Sequence, residues 1–405
     1  MITINQFLKL LVFTISVNVS FAVFAAEEEK APAISASLYK KLTKTEAFIA
    51  SGAYPQAREL LATILKSVKA NSYEQAISLR SLASVYALEN NYKKAAKLIE
   101  QCLATQQLPA SQQQAALLNL GQLYMATEQY HQAIKPLESW LKQNRQTKNS
   151  HVSVLLANAY TQLKHYRKAL PHIEAAIKQT QQPKESWIQL NLALYYELKN
   201  YQSAARLLNK LIVRYPDKKQ YWQQLSSAYQ QLRHYSKALS IQHLAYQKGL
   251  FKDEAHILQI VNLFLYTKQP YQAAQFLAHS LKSKQLKNSA KHFELLANAW
   301  TDAREYTQAI TALKQASALD NKGQLYFRLG RIHVEQELWQ AAITALNKAI
   351  NKGGLRNKGE AYILLGMSLY ENQQLAAARK AFAKASQFKA SKKSARQWLN
   401  YIKQV

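Results

Sequence analysis

The chain has 405 residues, 48% of them hydrophobic, and this apolar fraction is enough to bury a long continuous core. Its 53 lysines and arginines outnumber 24 aspartates and glutamates, which gives a formal net charge of +29. Strongly basic chains bind phosphates, anionic lipids or acidic protein surfaces. A single cysteine, Cys102, excludes any disulfide within the chain.

Residues 1–25 have the composition of a secretory signal peptide. Lys9 precedes an apolar run at residues 10–24, and Ala25 ends a small-residue cleavage site. The run of about 15 residues is shorter than the roughly 20 that cross a bilayer, and an uncleaved membrane anchor is the alternative. We therefore expect a flexible leader at residues 26–37 and a periplasmic protein, a compartment that largely excludes nucleic acid as a partner.

Most of the chain repeats one pattern, an aromatic residue followed three positions later by alanine. The pattern occurs ten times at steps of 33 to 38 residues, the last time with leucine in the aromatic position. Its members are Tyr54…Ala57, Tyr92…Ala95, Tyr130…Ala133, Tyr166…Ala169, Tyr201…Ala204, Tyr235…Ala238, Tyr271…Ala274, Tyr306…Ala309, Trp339…Ala342 and Leu375…Ala378. A second pattern precedes it, as in Leu156, Ala157 and Tyr160: leucine, a small residue, and an aromatic residue three positions further. Together they predict antiparallel helix pairs, which must stack on copies of themselves to bury their apolar faces.

This double pattern resembles the tetratricopeptide repeat, whose period is about 34 residues. The resemblance implies an all-α solenoid, a right-handed superhelix of antiparallel helix pairs, in one continuous repeat domain. It covers residues 38–390 as about ten pairs, and residues 391–405 would form a capping helix. The first copy departs from the pattern, because Lys44 and Thr45 stand where the other copies have leucine and a small residue.

The resemblance also implies that the first helix of each pair lines a concave binding face. Counting from the small residue of each copy, the groove-facing positions lie three before it, one after it and four after it. The candidate partner-binding residues at these positions are Arg80, Ser84, Asn158, Thr161, Gln223, Ser227, Gln230, Glu294, Asn298, Thr301 and Arg331. These polar, amide-rich side chains suit hydrogen bonding to an extended peptide backbone better than burial of an apolar helix.

Some tetratricopeptide repeat proteins hold a C-terminal carboxylate with a lysine three before the small residue and an asparagine just after it. Asn158 and Asn298 match the asparagine, whereas Val154 and Glu294 replace the lysine. Carboxylate capture is therefore not the expected mode of binding here.

The chain carries no legible catalytic, cofactor or metal motif. Its ten histidines form no His-Glu-x-x-His set, and there is no cysteine cluster, glycine-rich phosphate loop or nucleophile elbow. Cys102 stands where other copies have alanine, as at Ala176 and Ala245, so we interpret it as a small core residue; a reactive thiol is the alternative. These observations favour a binding protein over an enzyme.

Five short sequence segments make the family resemblance more specific. They are residues 265–274, 345–354, 361–367, 377–382 and 395–402. Together they resemble the periplasmic tetratricopeptide proteins of marine Gram-negative bacteria encoded beside TonB, ExbB and ExbD. This resemblance implies an interaction scaffold that is an accessory to TonB-dependent uptake, with TonB, ExbB, ExbD or another envelope complex as partner.

An alternative function follows from the charge distribution. Residues 139–173 and 218–252 each hold six lysines or arginines and no acid, and residues 372–405 hold eight and none. These basic segments would suit a module that binds anionic lipid, lipopolysaccharide or acidic polysaccharide. The other interpretation is that they form a solvated basic exterior that only aids solubility.

Overall fold

The computed structural model describes residues 32–144 and 149–404, with no side-chain description at 404. The predicted signal peptide lies outside the described residues, as does the first half of the predicted leader. The described residues form helices and no strand, which confirms the all-α class. The helices are α1 (Ala36–Ala50), α2 (Tyr54–Ser67), α3 (Tyr73–Leu88), α4 (Tyr92–Ala104), α5 (Ala110–Ala126), α6 (Tyr130–Gln143), α7 (Ser150–Gln162), α8 (Tyr166–Gln179), α9 (Glu185–Glu197), α10 (Tyr201–Arg214), α11 (Lys219–Gln231), α12 (Tyr235–Gln247), α13 (Glu254–Tyr266), α14 (Pro270–Lys282), α15 (Ala290–Asp302), α16 (Tyr306–Leu319), α17 (Gln324–Glu335), α18 (Trp339–Lys352), α19 (Lys358–Glu371), α20 (Leu375–Ala385) and α21 (Lys392–Gln404).

The helices pair in chain order, α1 with α2 through α19 with α20, and α21 follows the last pair. We call the two members of each pair the first and second helix, and each pair a repeat. The chain divides into two compact units, Met1–Ala204 and Ala205–Val405. The division lies inside α10, a position that the repeat pattern does not mark.

The turn between the two helices has the same conformation in every repeat. The residue two positions before each second helix has positive φ, for example Gly52 at 74° and Asn90 at 60°. The next residue donates its N–H to a carbonyl near the end of the first helix, which belongs to an aromatic residue in all but the last repeat, as from Asn91 to Tyr86 at 2.8 Å. This is the Schellman arrangement, and it ends each first helix at a fixed point.

The turn corrects the predicted register of the seventh repeat. The pattern places Tyr271 at the start of its second helix, but α14 begins at Pro270, two residues after Lys268 with φ of 59°. Tyr271 is the second residue of this helix, and Ala273, which is fully buried, takes the alanine position. Proline fits here because the first helical residue has no intrahelical acceptor for an N–H.

Within a repeat, a large side chain of the second helix packs against the small residue of the first. A Cβ added to Gly121 would lie 2.4 Å from Leu137, and one added to Gly366 would lie 2.6 Å from Phe382. Leu137 and Phe382 occupy the same position of their helices, eight residues from the start, and both are fully buried. In the core of these repeats, a large side chain of the second helix therefore packs against a small residue of the first helix, as the pattern predicts.

Tyrosine hydroxyls connect successive repeats. Tyr160 donates to Glu138 of the preceding repeat at 2.5 Å, and Tyr195 donates to Glu174 at the same distance. Tyr124 makes the equivalent bond to Glu100. Burial and the bond to Glu138 raise the pKa of Tyr160 to about 12, so its hydroxyl remains a donor at physiological pH.

Cys102 is fully buried, and its thiol donates to the carbonyl of Ala76. Burial raises its pKa to about 11, so the thiolate is scarce at neutral pH. Both observations support the core interpretation over a reactive thiol.

At the N-terminal end, α1 begins at Ala36, capped by the Ser35 hydroxyl, so the last two residues of the predicted leader are helical. Among the described residues, no helix is both long and apolar enough to cross a membrane.

Candidate functional site

In the first unit, the first helices of consecutive repeats are joined by polar side chains. Arg80 of α3 donates to the amide oxygen of Gln112 on α5 at 3.2 Å. Gln112 also donates to the hydroxyl of Tyr73 at 2.9 Å, so one glutamine holds two side chains of the preceding repeat. Arg80 is half-buried in this contact, and its neighbour Ser84 donates back to the Arg80 carbonyl at 3.1 Å.

In the second unit, the equivalent contact runs through a histidine. The amide nitrogen of Gln223 on α11 lies 2.7 Å from Nε2 of His256 on α13, and Asp253 bonds the other ring nitrogen. His256 thus bonds a side chain of the preceding repeat through one ring nitrogen and a residue of its own repeat through the other. Lys219 also contacts Asp253 at 3.0 Å. Lys219, with His256, holds the pKa of Asp253 well below its ordinary value.

A third contact joins the next repeats of the second unit. Glu294 of α15 lies 4.0 Å from the guanidinium of Arg328 on α17. Arg80, Gln223 and Glu294 all occupy the position three before the small residue. In each case the side chain contacts the first helix of the following repeat, so this position connects repeats in both units.

Two of the predicted residues, Asn158 and Thr161, are buried. Asn158 is 5% exposed and Thr161 is 1% exposed, because both lie within the packed interior of the first unit. The Thr161 hydroxyl donates to the Ala157 carbonyl at 2.6 Å, and Thr301 donates to the Ala297 carbonyl at 2.8 Å. Gln230 donates to the Ser226 hydroxyl at 3.3 Å.

In these repeats, the side chain four residues after the small residue therefore hydrogen-bonds within its own helix. Asn158 and Thr161 are buried, so either side chain would contact a partner only after local opening, and its predicted binding role stays a prediction. A binding role for the other predicted residues stays a prediction.

The remaining predicted residues are accessible. Ser227 of α11 and Asn298 of α15 are half-buried, and both follow the small residue directly. The Arg331 side chain is 53% exposed and lies 3.8 Å from Glu335 of its own helix. Ser227 lies one helical turn from Gln223 and Asn298 one turn from Glu294, so each is close to a contact between repeats. We call Ser227, Asn298, Gln223 and Glu294 the first-helix surface of this unit.

Sequence reasoning missed Gln112, His256 and Arg328. Gln112 and His256 are both the third residue of their helices, but they lie nine and five residues before the small residue of their repeats. Counting from the small residue could not find them, because first helices differ in length from 12 to 17 residues. A search for polar residues at the start of each first helix would have been the better signal.

The second unit also has an open pocket of about 410 Å³ between the second helices α12 and α14. Aromatic rings form part of its lining, with His243 edge-on to Phe264 and Phe276 at 5.9 Å. Its rim is polar, with Gln247, Gln272, Gln275 and His279. Among the described residues, no three His, Cys, Asp or Glu side chains lie close enough together to hold a metal ion.

Comparison with protein families finds two matches. The tetratricopeptide repeat model matches residues 42–111, 154–221, 294–359 and 327–394, which together cover more than half of the chain. The model of subunit 3 of the anaphase-promoting complex, or cyclosome, matches residues 89–176. No curated protein matches the chain.

Several solved structures are similar. A tetratricopeptide repeat protein from Parabacteroides merdae is 14% identical, with 70% of this chain and 94% of that chain covered, at a TM-score of 0.38. The C-terminal part of a repeat protein from Cytophaga hutchinsonii is 18% identical, with 69% and 95% covered, at 0.36. YrrB, described as a repeat protein with an unusual peptide-binding site, is 19% identical, with 45% and 90% covered, at 0.36. At these values the similarities carry no conclusion about partners.

Proposed function

Because the chain belongs to the tetratricopeptide repeat family, we propose that it is a non-enzymatic scaffold that binds an extended segment of a partner protein along its first helices. Proteins of this fold are generally non-catalytic and bind protein partners. The observation that carries the proposal is the first-helix surface of the second unit. There, side-chain contacts between repeats hold a polar surface in which Ser227 and Asn298 remain accessible.

The chemistry of this surface favours a peptide backbone as the ligand. Asn298 offers both a donor and an acceptor, and Ser227 offers a hydroxyl, so both match the alternating groups of an extended chain. A preorganised surface also lowers the ordering cost of binding. Capture of a C-terminal carboxylate is disfavoured, because Glu294 is negative where a lysine would be required and Asn158 is buried.

Site-specific photocrosslinking tests this proposal. A photoreactive phenylalanine analogue at Ser227 or Asn298 should crosslink a protein in cells, because both positions lie on the first-helix surface. The matched controls are Ser240 and Thr311, exposed polar residues on second helices of the same unit, α12 and α16. Equal crosslinking at all four positions, or adducts at the controls alone, would contradict the proposed surface.

We further propose that the scaffold acts in the periplasm as an accessory to TonB-dependent uptake. The support is the predicted signal peptide at residues 1–25 and the sequence blocks that resemble proteins encoded beside TonB, ExbB and ExbD. Fractionation should recover the protein in the periplasm, and the Ser227 and Asn298 adducts should contain TonB, ExbB or ExbD. Unchanged uptake of iron complexes in a strain lacking the gene would count against the TonB assignment, and adducts with another envelope protein would replace it.

A further inference from the structure

The last two helices carry an unusual concentration of unpaired positive charge. Residues 372–405 contain eight lysines and arginines and no aspartate or glutamate. Six of the eight form what we call the C-terminal basic patch: Lys380 and Lys384 on α20, and Lys392, Lys393, Arg396 and Lys403 on α21. All six are exposed. In the part of the chain that the structure describes, none of them forms an ion pair or a side-chain hydrogen bond.

The packing of α21 explains why these cations face outwards. Ala395 and Ile402 of α21 are buried, and Trp398 stacks on Phe382 of α20 with ring centroids 5.3 Å apart. This contact occupies one side of α21. Lys392 and Arg396 are four residues apart and Lys403 is seven further, so all three lie along one row outside that contact.

Helix α21 also exposes an aromatic ring that lies outside the patch. Tyr401 is 50% exposed, although its ring contacts Trp398 and Tyr370 at 6.0 and 5.8 Å between centroids. At 100° per residue, Tyr401 lies roughly opposite the row of Lys392, Arg396 and Lys403 on α21, so the cations alone define the patch.

The composition distinguishes an anionic bilayer from an acidic protein. Five of the six cations are lysine, a flexible point charge that suits mobile lipid headgroups. Recognition of a carboxylate at a fixed position more often uses the planar fork of arginine. We propose that the C-terminal basic patch binds the surface of an anionic phospholipid membrane, independently of the partner bound at the first-helix surface.

Vesicle sedimentation with the full chain tests this inference. The probes are vesicles of phosphatidylcholine alone and of phosphatidylcholine with a quarter phosphatidylglycerol. Binding should be stronger to the anionic vesicles and should fall between 0.1 and 0.5 M salt, as the screening length shortens from about 10 Å. The triple variant Lys392→Gln, Lys393→Gln, Arg396→Gln should lose roughly 100-fold in affinity, since each cation near an anionic surface contributes about fivefold.

The matched control removes three charges elsewhere. Lys40→Gln, Lys66→Gln and Lys69→Gln change exposed lysines at the start of the first unit. This control should stay within about threefold of the parent, because none of its charges belongs to the patch. Equal losses in the two triple variants would overturn the patch as the site. Binding of polyglutamate in preference to the anionic vesicles would overturn the membrane as its partner.

Discussion

Replacing Gln242 by leucine should stabilise the second unit by about 2 kcal/mol. Gln242 lies eight residues into α12 and is 1% exposed, and its amide oxygen has no hydrogen-bond partner. The equivalent residues of the other nine repeats are all buried and apolar: Leu61, Ile99, Leu137, Ile173, Leu208, Leu277, Leu313, Leu346 and Phe382. A buried amide oxygen without a partner costs about 1–3 kcal/mol, and leucine restores apolar packing at a similar volume.

The measurement is a urea titration followed by tryptophan fluorescence. The control is the same substitution at Gln247, an exposed residue five positions further along the same helix, which should change the free energy of unfolding by less than about 0.5 kcal/mol. A loss of stability in Gln242→Leu would show that the amide makes a favourable interaction in solution. Position 242 would then require a polar side chain for full stability.

Replacing Gly323 by alanine should destabilise the ninth repeat by about 3 kcal/mol. Gly323 precedes α17, and its N–H donates to the carbonyl of Gly353 at 2.7 Å. An added Cβ would lie 2.0 Å from the carbonyl oxygen of Ala349, a backbone atom that cannot rotate away. The start of α17 and the end of α18 would have to separate, which loses this hydrogen bond and the packing around it.

Two controls separate the clash from other effects. Asn321→Ala changes an exposed residue nearby and should be close to neutral. Gly52→Ala introduces a Cβ into open space at φ of 74°, so it should cost only the backbone strain of about 1 kcal/mol. Hydrogen exchange should show faster opening of α17 and α18 in Gly323→Ala. If Gly323→Ala lowered the free energy of unfolding no more than Gly52→Ala does, α17 and α18 would be able to move apart at little energetic cost.

The candidate residues show that a position within the repeat does not determine the exposure of its side chain. Asn158 and Asn298 hold the same position relative to their small residues, yet Asn158 is 5% exposed and Asn298 is half-buried. The difference arises from neighbouring repeats, since the exposure of a first helix depends on how closely the adjacent first helices pack. A position in one repeat therefore does not define the surroundings that the next repeat creates.

The sequence by itself determined the helix pairs and their number, because the large and small residues that interlock are adjacent in the pattern and recur at nearly constant spacing. It also placed Cys102 in the core by analogy with Ala176 and Ala245. Only the tertiary structure decided the start of α14 at Pro270, the division within α10 and the contacts of Gln112, His256 and Arg328. Each of these depends on side chains or packing more than 30 residues apart or on the geometry of a turn. A sequence pattern that spans a single repeat does not contain this information.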